Sequence, residues 1–120
     1  MRERFLGTLR LNVDPSIRLQ KETASAMYHI AHEAVENAVQ HSSCSAIEIA
    51  VKSSRIGCFL EVRDNGRGFD SADISGRRGL GLLSMEHYAA QAGLELSVSS
   101  VREMGTTVRA ETPEGPEKTL

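Results

Sequence analysis

The residue types that could carry out chemistry are concentrated first in the segment 28–41, YHIAHEAVENAVQH. Glu33, Asn37 and His41 recur there at four-residue steps, and a helix turns by roughly 100° per residue, so these side chains would share one face. A helix with this face can hold a carboxylate and a carboxamide over one bound group. Taken alone, the pattern is also that of an ordinary solvated helix face.

A second group of such residues follows an alternating apolar segment and reads Asp64-Asn65-Gly66-Arg67-Gly68. An Asp at the end of a strand can accept a hydrogen bond from an exocyclic amine. Two glycines spaced two apart permit tight turns and the close approach of a flat ligand. By itself the segment is equally typical of a hairpin turn.

Two further segments contain glycine beside groups that suit a nucleotide. Gly79-Leu80-Gly81 precedes an amphipathic segment, where backbone N–H groups and the positive end of a helix dipole would suit phosphate. It is not a Walker A loop, because no Gly-Lys-Ser/Thr follows. Gly105-Thr106-Thr107 enters the last predicted strand, where hydroxyls could reach a base directly or through water. Strand propensity explains the two threonines equally well.

The elements that would position these groups are two helices and five strands. The first helix is predicted from between Lys21 and Ala24 to His41, and the second contains Leu82, Met85, Ala89 and Ala92 and ends at Gly93, a C-cap residue type. Alternation of apolar and polar residues predicts strands at 5–13, 47–52, 58–63, 94–98 and 107–111. We expect the first of these strands to bury one face.

Alternating strands have one solvated face, so the helices should cover only the other. The sequence therefore predicts an α+β fold, a two-layer sandwich of helices on one face of a mostly antiparallel sheet. We expect one domain at 1–112 and a frayed tail at 113–120, because the tail contains two prolines and a glycine.

Composition limits the function classes. The 120 residues are 40% hydrophobic and 25% charged with a net charge of -2, which is ordinary for a single globular domain and gives no case for nucleic acid or an anionic membrane as a partner. Cys44 and Cys58 have no companions at metal-ligand spacing, so free thiols are expected. No apolar segment approaches the ~18 residues of a membrane span. We expect a cytoplasmic location, either for a separate protein or for the cytosolic part of a membrane-bound sensor.

Together, the four segments resemble the ordered N, G1, G2 and G3 boxes of the ATPase superfamily that contains DNA gyrase, the MutL proteins and histidine kinases. IAHEAVENAVQHS, VRDNGRGFD, GLGLLSMEHYAAQAG and GTTVRAETP resemble most the ATP-binding catalytic domain of two-component sensor histidine kinases, in the branch typified by nitrate/nitrite sensors. The resemblance covers about Leu19 to Pro113. It implies a Bergerat-type ATP-binding fold and two ligands, ATP and Mg²⁺.

The resemblance also implies roles for the residues of the first helix. Asn37 would ligate a Mg²⁺ ion that bridges the phosphates, and Mg²⁺ prefers oxygen ligands and keeps several waters. Glu33 would polarise the attacking nucleophile or a metal-bound water. His41 would be among the nucleotide contacts. Gln40 departs from the family pattern, since a Lys often stands before this His.

The other three segments would surround the base and the phosphates. Asp64 would accept from the adenine amino group, and the backbone at Gly66 and Gly68 would pass under the base. Thr106 or Thr107 would close the adenine pocket. The hinge of a lid over the triphosphate would be formed by the remaining implied residues, Gly79, Leu80 and Gly81. The lid that precedes them is short. Arg77 and Arg78 could replace the phosphate contact that Gln40 lacks, and a solvated pair of arginines is an equally good interpretation.

The resemblance implies a protein histidine kinase, which transfers the γ-phosphoryl group of ATP to a His on a helical dimerisation domain absent from this chain, and from there to an Asp of a response regulator. His32 is poorly placed to be that acceptor, in the middle of the nucleotide-binding helix. Three alternatives remain open: a serine kinase of the anti-sigma type, a nucleotide-binding regulatory module without phosphotransfer, and a gyrase-like hydrolase.

Overall fold

The computed structural model describes residues 7–41, 43–55, 57–68 and 82–112. Its elements, in chain order, are β1 (Thr8–Val13), α1 (Lys21–His41), β2 (Ala46–Ser54), β3 (Gly57–Asp64), α2 (Leu82–Ala92), β4 (Glu95–Val101) and β5 (Gly105–Glu111). The order of elements agrees with the sequence prediction, and the α+β class is confirmed. The predicted tail at 113–120 lies outside the described residues.

The five strands form one mixed sheet in the order β1-β2-β3-β5-β4. β2 and β3 form one antiparallel hairpin, β4 and β5 form another, and β3 pairs with β5 antiparallel. β1 is parallel to β2, because α1 connects the two strands and returns the chain to the same end of the sheet. This topology brings the carboxyl end of β3 and the amino end of β5 together in the middle of the sheet.

α1 packs on the sheet through a stripe of apolar side chains, three of which are alanines. Ala26, Met27, Ile30, Ala34 and Ala38 are buried, and Ile30 is completely inaccessible. They recur at three- and four-residue steps, which gives a helix one apolar face. The alanines let the helix approach β3, which lies beneath it together with β2 and β5.

α2 ends at a glycine, as predicted. Gly93 has a φ of +70°, its N–H donates to the Ala90 carbonyl at 3.2 Å, and the N–H of Leu94 donates to the Ala89 carbonyl at 2.8 Å. These two bonds form a Schellman motif, which satisfies carbonyls that the helix end leaves without partners. The chain then turns directly into β4, on which α2 packs.

The prediction that the first strand buries one face is wrong. Leu9, Leu11 and Val13 are 53%, 66% and 53% exposed, and all six residues of β1 are exposed. The alternation indicated a strand correctly, but burial depends on what covers the strand. β1 is at one edge of the sheet. α1 packs over β2, β3 and β5 and α2 packs over β4, so the helices lie over the other four strands.

The two faces of the sheet differ in character. Towards the helices, β3 and β5 bury Cys58, Leu60, Val62, Val108 and Ala110. The opposite face carries charged side chains that pair across strands, which confirms the prediction that only one face is covered.

The contacts of Arg109 show how the open face is organised. Its guanidinium lies 3.7 Å from the centroid of the Phe59 ring and also contacts Glu61 at 3.3 Å and Glu111 at 3.4 Å. Arg63 in turn lies 2.9 Å from Glu61. These residues form a network of ion pairs on the solvated side of the sheet.

Candidate functional site

The carboxyl ends of α1 and β3 lie at the same end of the sheet. The loop after α1 leads straight into β2, whose second residue, Ile47, is paired with Asp64, the last residue of β3. Cys44 in that loop donates to the carbonyl of Ala38 on α1, with 3.4 Å between sulfur and oxygen. The half of α1 that carries Asn37 therefore ends close to the strand that carries Asp64.

Asn65 ties the loop after α1 to the end of β3. Its Oδ1 accepts the N–H groups of Ser45 at 3.0 Å and Ala46 at 2.9 Å, and its Nδ2 donates to Ser45 Oγ at 3.0 Å. A carboxamide is suited to this because it has one accepting and one donating group. No role for Asn65 was predicted from the sequence, because an Asn before Gly is common in any turn.

One row of cross-strand neighbours on the helix-bearing face contains Asp64 and Thr106. We name it the inward row, and it runs across all five strands as Leu9, Ile47, Asp64, Thr106 and Ser100. Side chains directly opposite each other on one face have Cβ atoms about 4.5–5.5 Å apart. Asp64 Oδ1 accepts the N–H of Gly66 at 2.8 Å, which fixes the direction of the carboxylate.

Gly68 and Gly105 allow three backbone segments to meet beside the inward row. Gly105 has a φ of +110°, and a Cβ atom there would lie 2.1 Å from the carbonyl oxygen of Asp64. Gly68 has a φ of +60°, and its Cβ would lie 2.3 Å from the carbonyl oxygen of Val101. The sequence predicted that Gly68 permits the close approach of a flat ligand. In the structure, the protein's own backbone already requires a glycine at this position.

The structure separates the two threonines that were both assigned to the adenine pocket. Thr106 is paired with Asp64, whereas Thr107 is paired with Arg63 on the open face. Successive strand residues point to opposite faces, so only Thr106 shares a face with Asp64. The prediction for Thr107 does not fit this geometry.

A groove of about 470 Å³ lies at this end of the sheet, where Thr107 lines it. Most of the side chains that line it come from the open face, including Arg10, Glu48, Arg63 and Ser99. Three residues of the inward row, Ile47, Asp64 and Thr106, also line the groove. The groove is an open surface feature between charged strands, and the carboxylate and hydroxyl of the inward row point to the side of the sheet that carries the helices.

On α1, Glu33 and Asn37 are both half-buried and lie one helical turn apart. Gln40 Nε2 donates to Glu36 Oε1 at 2.8 Å, so the residue that replaces the usual Lys is held by its neighbour on the helix. The side chain of His41 lies outside the described residues. So do Gly79, Leu80 and Gly81, together with Arg77 and Arg78.

The chemical groups at this end of the sheet fit a purine nucleotide with Mg²⁺. In the described ranges, no group of three His, Cys, Asp or Glu side chains is placed to hold a metal ion, and Cys44 and Cys58 are free thiols. The oxygen ligands available on α1 are the carboxamide of Asn37 and the carboxylate of Glu33. Mg²⁺ suits such a set, because it takes oxygen ligands and completes its shell with phosphate oxygens and water.

Residues 22–116 match the family described as histidine kinase-, DNA gyrase B- and HSP90-like ATPases. The chain is 39% identical to the sensor histidine kinase MctS of Rhizobium johnstonii over 98 residues, which cover 79% of this chain and 21% of that protein. It is 30% identical to the sensor histidine kinase LiaS of Bacillus subtilis over 100 residues, which cover 83% of this chain and 28% of that protein.

Solved structures show the same fold. The blue-light activated histidine kinase EL346 of Erythrobacter litoralis superposes with a TM-score of 0.79 at 24% identity, over 98% of this chain and 38% of that chain. The ATP-binding domain of PrrB from Mycobacterium tuberculosis gives a TM-score of 0.64 at 24% identity, over 89% of this chain and 81% of that chain. Among the helices of the described residues, none has the length and apolar character needed to cross a membrane.

Proposed function

This chain belongs to the family of histidine kinase-, DNA gyrase B- and HSP90-like ATPases and is an ATP-binding catalytic domain of the sensor histidine kinase type; from this premise we propose that it donates the γ-phosphoryl group of ATP to a histidine. We assign the accepting histidine to a helical dimerisation domain of a longer protein. The chain spans 21% and 28% of the length of two curated sensor kinases that it matches.

The observation that carries the proposal is the pairing of Asp64 with Thr106 in the inward row. An ionised carboxylate only accepts hydrogen bonds, and a hydroxyl can do either, so the pair suits the 6-amino group of adenine. The bond from Gly66 to Asp64 Oδ1 holds the carboxylate in place before the base arrives. We therefore assign Asp64 and Thr106 to the adenine subsite, with Gly66 and Gly68 forming its edge.

We assign the phosphate end of the site to α1, on which Asn37 and Glu33 lie one turn apart. The Asn37 carboxamide would ligate Mg²⁺, and the bound ion would neutralise charge on the phosphates. Glu33 would polarise the attacking histidine nitrogen. In phosphoryl transfer the protein contributes mainly position and electrostatic stabilisation, which half-buried side chains on a packed helix can supply. His41 and the segment 79–81 complete this assignment.

Three further features belong to the proposal. The phosphorylated histidine would pass its phosphoryl group to an Asp of a response regulator. The chain would work in the cytoplasm, as a separate protein or as part of a membrane-bound sensor. The nitrate/nitrite-sensor branch is supported by the sequence boxes, while the curated relatives carry the names MctS, DegS, LiaS and VraS.

The first experiment compares Mg-ATP with Mg-GTP by calorimetric titration of the chain. We expect saturable binding of Mg-ATP and weaker binding of Mg-GTP, and removal of Mg²⁺ should weaken the ATP complex. Asn37→Asp should change the Mg²⁺ dependence, whereas Asn12→Asp, the same chemical change on exposed β1, should not. Equal affinity for both nucleotides would contradict the adenine assignment.

The second experiment supplies a helical phosphoacceptor domain from a sensor kinase relative together with labelled ATP. We expect an acid-labile, base-stable label on that domain, which is the behaviour of phosphohistidine. Acid-stable label on a serine of an added partner would favour the anti-sigma type of kinase. Binding without transfer would favour a regulatory module, and steady ATP hydrolysis by the chain alone would favour the gyrase-like hydrolase.

A further inference from the structure

Ser100 is the one polar side chain that is buried in the part of the chain that the structure describes, with 5% of its surface exposed. It ends the inward row on β4, opposite Thr106. Its Oγ lies 2.8 Å from Thr106 Oγ1 and 3.3 Å from the carbonyl oxygen of Gly105. A buried hydroxyl that bonds to a site residue can control what that residue offers to a ligand.

The Gly105 carbonyl determines the direction of the hydrogen bonds. A carbonyl oxygen has no proton, so Ser100 donates to it, and the single Ser100 proton is thereby used. The arrangement that satisfies both contacts has the bond between the two hydroxyls running from Thr106 to Ser100. The Thr106 proton points into the protein, and the Thr106 oxygen keeps its lone pairs for a group on the ligand side.

This direction matters because Asp64 is the neighbour of Thr106 on β3. With an ionised Asp64 and a Thr106 that accepts, two adjacent side chains present only acceptors. Adenine places a donor, the 6-amino group, where guanine places an acceptor, the 6-oxo group. Two hydrogen-bond acceptors, Asp64 and Thr106, acting directly or through one water, therefore favour adenine and disfavour guanine.

We propose that Ser100 is a positioning residue that directs the Thr106 hydroxyl proton inward and so makes the site select adenine over guanine. The proposal rests on the proposed function, since it requires Asp64 and Thr106 to face the base. Ser100 itself does not touch the nucleotide. Its effect on binding passes through Thr106 alone.

Ser100→Ala removes the inward acceptor. The Thr106 hydroxyl can then rotate and donate towards the ligand, which suits guanine better and adenine worse. We expect the ratio of the Mg-GTP to the Mg-ATP dissociation constant to fall by about 3- to 10-fold, the range that corresponds to one neutral hydrogen bond. Ser99→Ala is the matched control, because Ser99 precedes Ser100 on β4 and faces the other side of the sheet.

A double-mutant cycle separates positioning from general support of the fold. Thr106→Val removes the hydroxyl and keeps the shape. If Ser100 acts through that hydroxyl, Ser100→Ala will change the nucleotide ratio in the wild-type background and leave it within about twofold in the Thr106→Val background. Thr106→Ser keeps the hydroxyl and should retain the full effect of Ser100→Ala.

All variants are titrated with Mg-ATP and Mg-GTP after their thermal unfolding has been recorded. If Ser100→Ala does not fold, Ser100→Cys replaces it, because a thiol is a weak hydrogen-bonding group of similar size, and the ratio should move in the same direction. An equal loss of affinity for both nucleotides, or an undiminished effect in the Thr106→Val background, overturns the proposal. Failure of the adenine assignment itself would be recognised separately, because Asp64→Asn would then leave Mg-ATP affinity unchanged.

Discussion

Two neighbouring rows of side chains lie at one end of the sheet on opposite faces. A shift of one residue along a strand moves a side chain from the candidate site to the solvated surface. The inward row contains Asp64 and Thr106 and lies on the face that carries the helices. The next row lies on the open face and consists of Arg10, Glu48, Arg63, Thr107 and Ser99. Every member of one row is adjacent in sequence to a member of the other.

The two rows differ in how strongly their groups are held. Asp64 is fixed by Gly66, and Thr106 by Ser100, beside a packed core. The open row alternates charges in contact with solvent, where ion pairs contribute little to stability and are screened by salt. Preorganised polar groups beside a core can discriminate between ligands, whereas a solvated charge row mainly keeps the sheet soluble.

The largest expected effect is on stability and comes from a substitution at Gly105, where the backbone of β5 passes close to the end of β3. Gly105→Ala would place a Cβ 2.1 Å from the Asp64 carbonyl oxygen at a φ of +110°, so we expect the free energy of unfolding to fall by about 3 kcal/mol or more. Gly93→Ala is the control, because φ there is +70° with nothing within 4 Å. It should cost only about 1–2 kcal/mol. Chemical denaturation measures both, and equal losses would contradict the close approach of β5 to β3.

The next effect is on ligand binding through the inward row. Asp64→Asn replaces a charged acceptor by a group that is partly a donor facing the adenine amine, so Mg-ATP affinity should fall by about 10- to 100-fold. Asp14→Asn makes the same change directly after β1, outside the inward row, and should leave affinity unchanged. Calorimetric titration gives both values, and comparable affinities for the two variants would remove Asp64 from the site.

A smaller effect is expected on the open face. Arg109→Ala removes the contact with Phe59 and the ion pairs with Glu61 and Glu111, which should lower the free energy of unfolding by about 1 kcal/mol. Mg-ATP affinity should remain within about twofold of wild type, since the change is on the other side of the sheet. A large loss of affinity would show that the open face takes part in binding.

The smallest effect concerns Asp14. The backbone N–H and the hydroxyl of Ser16 donate to Asp14 Oδ1 at 2.9 Å and 2.7 Å, and they lower the pKa of this carboxyl below its usual value of 3.8. The charged carboxylate therefore adds stability that is present above that value and is lost as pH falls through the lowered pKa. The melting temperatures of wild type and Asp14→Asn should differ slightly at about pH 6 and converge in acid. A difference that grows in acid would contradict the direction of the shift.

Much of the fold follows from periodicity in the sequence. The stripe along α1 and the alternation in β3 predict which faces are buried, because both depend on local geometry. The exposure of Leu9, Leu11 and Val13 does not follow, since it depends on where the helices lie over a five-stranded sheet. Local patterns give the face of a strand but not whether another element covers it.

The candidate site was predictable in part. Residue types and box order pointed to Asp64 and the threonines, yet the choice between Thr106 and Thr107 required the strand register. Ser100 carried a signal that sequence analysis missed, because it continues the inward alternation of Leu96 and Val98 and is polar where the pattern calls for an apolar residue. The hydrogen-bond partners of Asn65, Ala46 and Ser45, are 19 and 20 residues away in sequence. A local sequence pattern cannot predict contacts over such a distance.

The central claim is that the nucleotide base lies on the helix-bearing side of the sheet, against the inward row. The most direct test is a comparison of Thr106→Val with Thr107→Val, which make the same change at adjacent residues on opposite faces. Calorimetric titration with Mg-ATP should show an affinity loss of about 3- to 10-fold for Thr106→Val and wild-type affinity for Thr107→Val. Equal losses, or a loss only for Thr107→Val, would contradict the account.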